Sequence, residues 1–153
     1  MLADSPIYYS TLNLYPVRHM PCQLINPESL GAPQGYSNGL LVDADGKLLF
    51  IAGQIAWNQQ HEIVSSDFVE QFDRALGNVL TVVTEAGGTA RDICRLVIYV
   101  TNKLEYSQRT QEVGERYRAH MGKHFPAMVL VEVKGLLVDS AKVEIEGIAV
   151  IHT

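Results

Sequence analysis

No apolar run in the sequence approaches the ~18 residues needed to cross a bilayer, so a helical membrane span is not expected. Basic charge is also scarce. Twelve Lys and Arg stand against seventeen Asp and Glu, a net charge of −5, and no basic run interleaved with aromatics occurs. Affinity for phosphate backbones comes mainly from Lys and Arg, so a nucleic-acid partner is not expected. Cysteine is limited to Cys22 and Cys94. Two thiols cannot build a disulfide framework, and neither belongs to a Cys-x-x-Cys pair or a Cys/His ligand spacing. They read as reduced thiols of a cytoplasmic protein. The first residues carry Asp4 and no basic start followed by an apolar core, so no signal peptide is expected.

What remains is ordinary globular material. The chain has 153 residues, 47% of them hydrophobic, enough for one domain with a substantial core. Residues 1–24 lack periodicity and are punctuated by Pro6, Pro16 and Pro21, yet Ile7, Tyr8, Tyr9, Leu12, Leu14 and Tyr15 are too apolar for a solvated tail. They read as an arm packed on the domain, residues 25–153, or on a neighbouring subunit.

Within the domain, residues 25–38 are dense in Gly, Pro, Ser and Asn and read as a loop. The runs 39–42 and 47–53 flank Asp43-Ala44-Asp45-Gly46, a hairpin signal. Asp67 with Glu70 three residues on predicts a capped helix start. Phe68, Phe72, Leu76, Val79 and Val83 follow at spacings of three and four, an apolar stripe, and Gly87-Gly88 stops it. Residues 92–101 read as a strand, and 103–121 as a second helix with Val113, Tyr117 and Met121 on one face. Two further strands fill 126–150, joined by a short loop. The order is β-β-α-β-α-β-β, an α+β mixed sheet with both helices on one face.

Those last strands organise the chain. In residues 127–133, Met128, Leu130 and Glu132 share one side; in 143–151, Glu144, Glu146, Ile148 and Val150 do. Both faces of the sheet are largely apolar. Helices can cover only one of them, so the other is expected to meet a second sheet in an oligomer.

Several motifs together resemble the Rid family of enamine/imine deaminases, also called the YjgF family. They are G-Y-S-N (35–38), F-I-A-G-Q-I (50–55), E-A-G-G (85–88), V-I-Y-V-T (97–101), F-P-A (125–127) and V-E-I-E-G-I-A (143–149). The resemblance implies a chorismate-mutase-like fold and a homotrimer with small-molecule clefts between subunits. It also implies hydrolysis of reactive enamines or imines to ketones with release of ammonia, without cofactor or metal.

Site residues are implied one by one. Glu144 matches the carboxylate that holds the attacking water; the plainer reading is a rim or inter-subunit ion-pair acid. An apolar strand seldom carries an acid without reason, which favours the first. Tyr36 and Tyr106 match pocket aromatics, Tyr106 across the interface. Trp57 would line the cleft mouth, and Gly53, Gln54, Met128 and Leu130 its walls. In the family an Arg directly after F-P-A grips the substrate carboxylate in a bidentate fork. Here that position is Met128, and Met cannot hold a carboxylate, so a substrate without one is expected.

Other candidates have plainer readings. Glu146 reads as structural and Asn38 as turn chemistry. His120 and His124 read as a solvated helix end, because Gly122 lies between them and no third ligand follows. Cys94 reads as packing. A non-catalytic small-molecule binder is the alternative function, and a ribonuclease is opposed by the acidic balance.

Overall fold

The computed structural model describes residues 22–43 and 45–152. The expected arm lies outside the described residues except for its last three, which begin a strand. Among the described residues there are six strands: β1 (Cys22–Ile25), β2 (Gly39–Val42), β3 (Lys47–Gln54), β4 (Ile93–Val100), β5 (Ala127–Glu132) and β6 (Val143–Ile151). The helices are α1 (Phe68–Glu85), α2 (Lys103–Gln108) and α3 (Thr110–Met121). The main sheet runs β3-β6-β4-β5, and β1 and β2 form a separate antiparallel pair.

The first helix follows the residues that predict it. Asp67 is extended and its carboxylate accepts from the Glu70 amide at 3.0 Å, satisfying one orphan donor of the first turn. Phe68, Phe72, Leu76, Val79 and Val83 are all buried. Burying each such side chain contributes about 1.5–3 kcal/mol. Beyond Glu85 the chain turns at Gly87, whose φ of 86° suits a residue without a Cβ.

Three expectations need correction. The Asp43–Gly46 turn does not close a hairpin: β2 pairs with β1, and β3 pairs antiparallel with β6. A turn signal sets local chain direction but does not choose the ladder partner. Likewise β5 and β6 are not neighbours, because β4 lies between them, parallel to β5 and antiparallel to β6. The parallel pair is made through the helical crossover, as parallel strands require. The second helix is also broken in two at Arg109, whose φ of −123° and ψ of 26° leave the helical region. From there its guanidinium reaches both Asp67 and Glu112.

Cross-strand partners share a face, so the register sorts the sheet. Leu96, Ile98, Met128, Leu130, Val143, Ile145 and Ala149 lie on the side that packs against the helices. The opposite face carries Leu48 and Phe50 on β3, Val129 and Val131 on β5, and Ile148 and Val150 on β6. Phe50 is 70% exposed and Leu48 56% in the single chain. The helices do line one face, and the bare face is apolar along β3, β5 and the end of β6, with Arg95, Glu144 and Glu146 at its middle.

Candidate functional site

The acid at the centre of the expected chemistry stands on the bare face. Glu144 is half-buried on β6, directly opposite Tyr99 of β4. Beside it β3 bulges between Ile51 and Gln54. That irregularity brings Gly53 so close that a Cβ built there would run into Glu144 Oε1 and lie 2.8 Å from its Cδ. A side chain at 53 would have to displace the carboxylate, so glycine lets it rest against the backbone of the A-G-Q-I segment. Gln54 follows at the bulge, its amide donating to Ala52 O at 3.1 Å. The structure thus brings Glu144 and Gly53 together, whereas Gln54 pairs with Ile145, a residue of the helix side.

Met128 and Leu130 are elsewhere. They pair with Leu96 and Ile98, and both pack against the core from the helix side, as does Tyr106 of α2. The expectation that Glu144 is enclosed by Met128 and Leu130 is therefore not met within one chain. The reason is strand order: β4 separates the two strands, and the odd-even alternation puts the two side-chain sets on opposite faces.

The segment leading into Met128 is firmly held. Tyr117 stacks on Phe125 with centroids 5.4 Å apart and donates from its hydroxyl to His124 O at 2.8 Å. Burial pushes the Tyr117 phenol well above its ordinary range, so it stays a donor. From the other side Ser37 Oγ donates to Phe125 O at 2.6 Å and its amide to Pro126 O at 3.1 Å. Ser37 forms a parallel bridge to Ala127, which sets Tyr36, 41% exposed, at the start of β5 on its outer edge. Tyr36, Met128, Leu130 and Tyr106 thus belong to the β5 side of the molecule.

The remaining candidates fall away from both groups. Trp57 lies in the loop after β3 with its ring edge-on to His61, centroids 4.7 Å apart. Its carbonyl accepts from Arg74 at 3.1 Å and Asn78 at 3.2 Å on α1. Asn38 engages through its amide, which donates to Asn26 Oδ1 at 2.8 Å. His120 Nε2 is 2.8 Å from Asp73 Oδ1, and His124 Nε2 is 2.7 Å from Ile93 O, so each imidazole has its own partner. Cys94 is half-buried, and desolvation raises its thiol above the ordinary value, which suits packing rather than nucleophilic attack.

Two neighbours of Glu144 carry no signal of that position in the sequence. Tyr99 was seen only as part of a strand, although the alternation of residues 95, 97 and 99 puts it on one side with Arg95. Gln71 is wholly buried in the α1 stripe. Its amide donates to Ser65 O at 2.8 Å and Ser140 O at 2.9 Å, and its carbonyl oxygen accepts from the Lys142 amide at 2.8 Å. It thereby ties α1 to the chain two residues before Glu144. No local pattern signals such a partner, because all three groups are backbone.

The chain thus has an α+β fold with a carboxylate set against a glycine on an uncovered sheet face, and an F-P-A segment leading into an edge strand. The chain belongs to the Rid (YjgF) family, whose family model, described as Endoribonuclease L-PSP, matches residues 27–151. A RutC family protein of Pyrococcus abyssi is 32% identical over 132 residues, spanning 85% of this chain and 98% of the relative. Escherichia coli TdcF, named provisionally as a reactive intermediate deaminase, is 30% identical, over 69% of this chain and 80% of its own. Among solved structures, the Rid-family protein YyfB of Yersinia pestis superposes with a TM-score of 0.77 at 30% identity, covering 86% of this chain and all of its own. The YjgF product of Escherichia coli gives 0.62 at 30% identity, covering 83% and 94%.

Proposed function

We propose that the protein hydrolyses a reactive imine or enamine without a free carboxylate next to the C=N bond, in a cleft built from two copies of the chain. Membership of a family that includes a protein named for reactive-intermediate deamination supports the reaction class. The position of Met128 carries the substrate reading. Where the family places a carboxylate-gripping Arg, this chain has a thioether packed on the core from the side of Tyr106. Such a wall suits an aromatic, alicyclic or thioester-linked imine rather than a 2-imino acid.

The opposed faces support the shared cleft. Glu144 with Gly53 occupies one side of the sheet, and Met128 with Leu130 and Tyr106 the other, so one cleft containing both needs a second chain. The exposed apolar face supplies the contact, and a homotrimer joins the halves cyclically. We place this particle in the cytoplasm, in keeping with two free thiols.

In the proposed reaction Glu144 orients a water against the imine carbon. As the oxygen adds, the C=N pair moves to nitrogen and the water proton passes to the carboxylate. Glu144 returns that proton to nitrogen, giving the carbinolamine; it then carries the hydroxyl proton to the nitrogen as the C–N bond breaks, so that ammonia leaves and the C=O bond forms. The test is a thermal-shift comparison of 2-oxo acids with neutral aromatic ketones, paired with M128R. Neutral ketones should stabilise the wild type, and 2-oxo acids should do so only in M128R. Stabilisation of the wild type by 2-oxo acids contradicts the reading.

A non-catalytic binder would use the same cleft and show stabilisation without turnover. The ribonuclease activity in the family description is opposed by the net charge of −5.

A further inference from the structure

We propose that Ser37 is a positioning residue of this site: it pins the loop that carries Tyr36 to the start of β5, so that Tyr36 and Met128 form one fixed wall for an aromatic or alicyclic substrate. This role deepens the reading of Met128 given above and rests on it. Among the described residues, Ser37 and Gln71 are the buried polar side chains, Ser37 at 4% exposure. Burying a hydroxyl is costly unless it is hydrogen-bonded. The partner lies 88 residues away: Ser37 Oγ donates to Phe125 O at 2.6 Å. The Ser37 amide donates to the next carbonyl, Pro126 O, at 3.1 Å.

These bonds fall where the strand begins. Three successive carbonyls lead into β5, and each accepts from a side chain or amide: His124 O from the Tyr117 hydroxyl at 2.8 Å, then Phe125 O and Pro126 O from Ser37. Tyr117 ties the segment to α3, and Ser37 ties it to the 35–38 loop. Ser37 also forms the parallel bridge to Ala127, so Tyr36 stands one residue before the bridge and Met128 one residue after it. Strands lie about 4.8 Å apart and rise about 3.3 Å per residue, which sets the two Cα atoms about 8 Å apart, within reach of a tyrosine and a methionine side chain. Gly35, at φ 72°, turns the chain just before Tyr36, and the Asn38 amide donates to Asn26 Oδ1 at 2.8 Å just after Ser37. Those flanks shape the loop locally; the Ser37 bonds fix it to the strand. Tyr36 itself remains 41% exposed, so its place is set by its neighbour rather than by burial.

Two measurements test this. In protein carrying carbon-13 at the methionine methyls, with Met128 assigned by M128L, Y36A should shift the Met128 signal by removing the ring beside it. S37A should shift that signal as well, and Y36A added to S37A should shift it no further. A Met128 signal unmoved by Y36A or by S37A, or a full Y36A shift persisting in S37A, overturns the proposal, even where S37A melts at a lower temperature. S37C, which keeps the volume with a weaker donor, serves in the same cycle if S37A does not fold. Affinity for acetophenone, a neutral aromatic ketone, is then read by isothermal titration calorimetry. S37A and Y36A should each weaken it about fivefold, and the double variant no more than Y36A alone. Wild-type affinity in S37A, or losses that multiply, overturn the proposal. Absence of acetophenone binding in the wild type defeats the substrate reading, while the Met128 signal still decides the role of Ser37, so the two failures are distinguishable.

Discussion

A methyl group added at Gly53 has nowhere to go except into the space of the Glu144 carboxylate. Because that carboxylate is the flexible end of a side chain, G53A should fold normally and push the acid out of place. A displacement of this order costs about 10²-fold in rate, so kcat should fall by that factor while the melting temperature stays near wild type. E144Q should abolish turnover and leave fold and assembly intact, as circular dichroism and sedimentation would show. Of these two residues only Glu144 stands out in the sequence, as an acid within an apolar alternation. The need for glycine at position 53 arises from a bulge that brings two strands together, and nothing in A-G-Q-I announces its partner.

The elements are held by two polar knots that periodicity does not reveal. Gln71 satisfies three backbone groups from two segments. Q71L keeps the volume but leaves those groups unpaired, at about 1–3 kcal/mol for each one buried, so the melting temperature should drop sharply in a thermal scan. The second knot joins Asp67, Arg109 and Glu112 at the start of α1 and the α2–α3 break. The Arg109 hydrogen bond is the main cause that lowers both the Asp67 and Glu112 carboxyls. A lowered folded value means stability that is fully present above the unfolded value and lost as pH falls through the folded one. Acid unfolding should therefore begin at higher pH in R109A than in wild type, while the two proteins keep a constant stability difference near neutrality. The stripe of α1 and the apolar face of α3 were legible because 3.6-residue spacing reports burial directly. The break at Arg109 was not, since it contains neither Gly nor Pro and exists to satisfy Asp67, 42 residues away.

At the scale of the whole molecule, the sheet alternation predicts a bare apolar face, and the structure shows one. Phe50 at 70% exposure is its most open large side chain. F50E should convert the proposed trimer to monomer in sedimentation velocity and remove turnover with it, although Glu144, the proposed base, is untouched. Strand order was beyond reach of the pattern, because β5 and β6 are contiguous in sequence yet separated by β4 in space. That order puts Met128 and Glu144 on opposite faces, and so makes a shared cleft the only way to unite them. The most direct test is complementation by mixing E144Q with M128W, the second chosen to plug the opposite half-site. Each variant alone should be inactive. After co-refolding, turnover should return to about a quarter of wild type, the share of clefts with both halves intact under random cyclic assembly. No recovery in mixed particles shown to contain both chains would mean that Glu144 and Met128 do not act in one cleft.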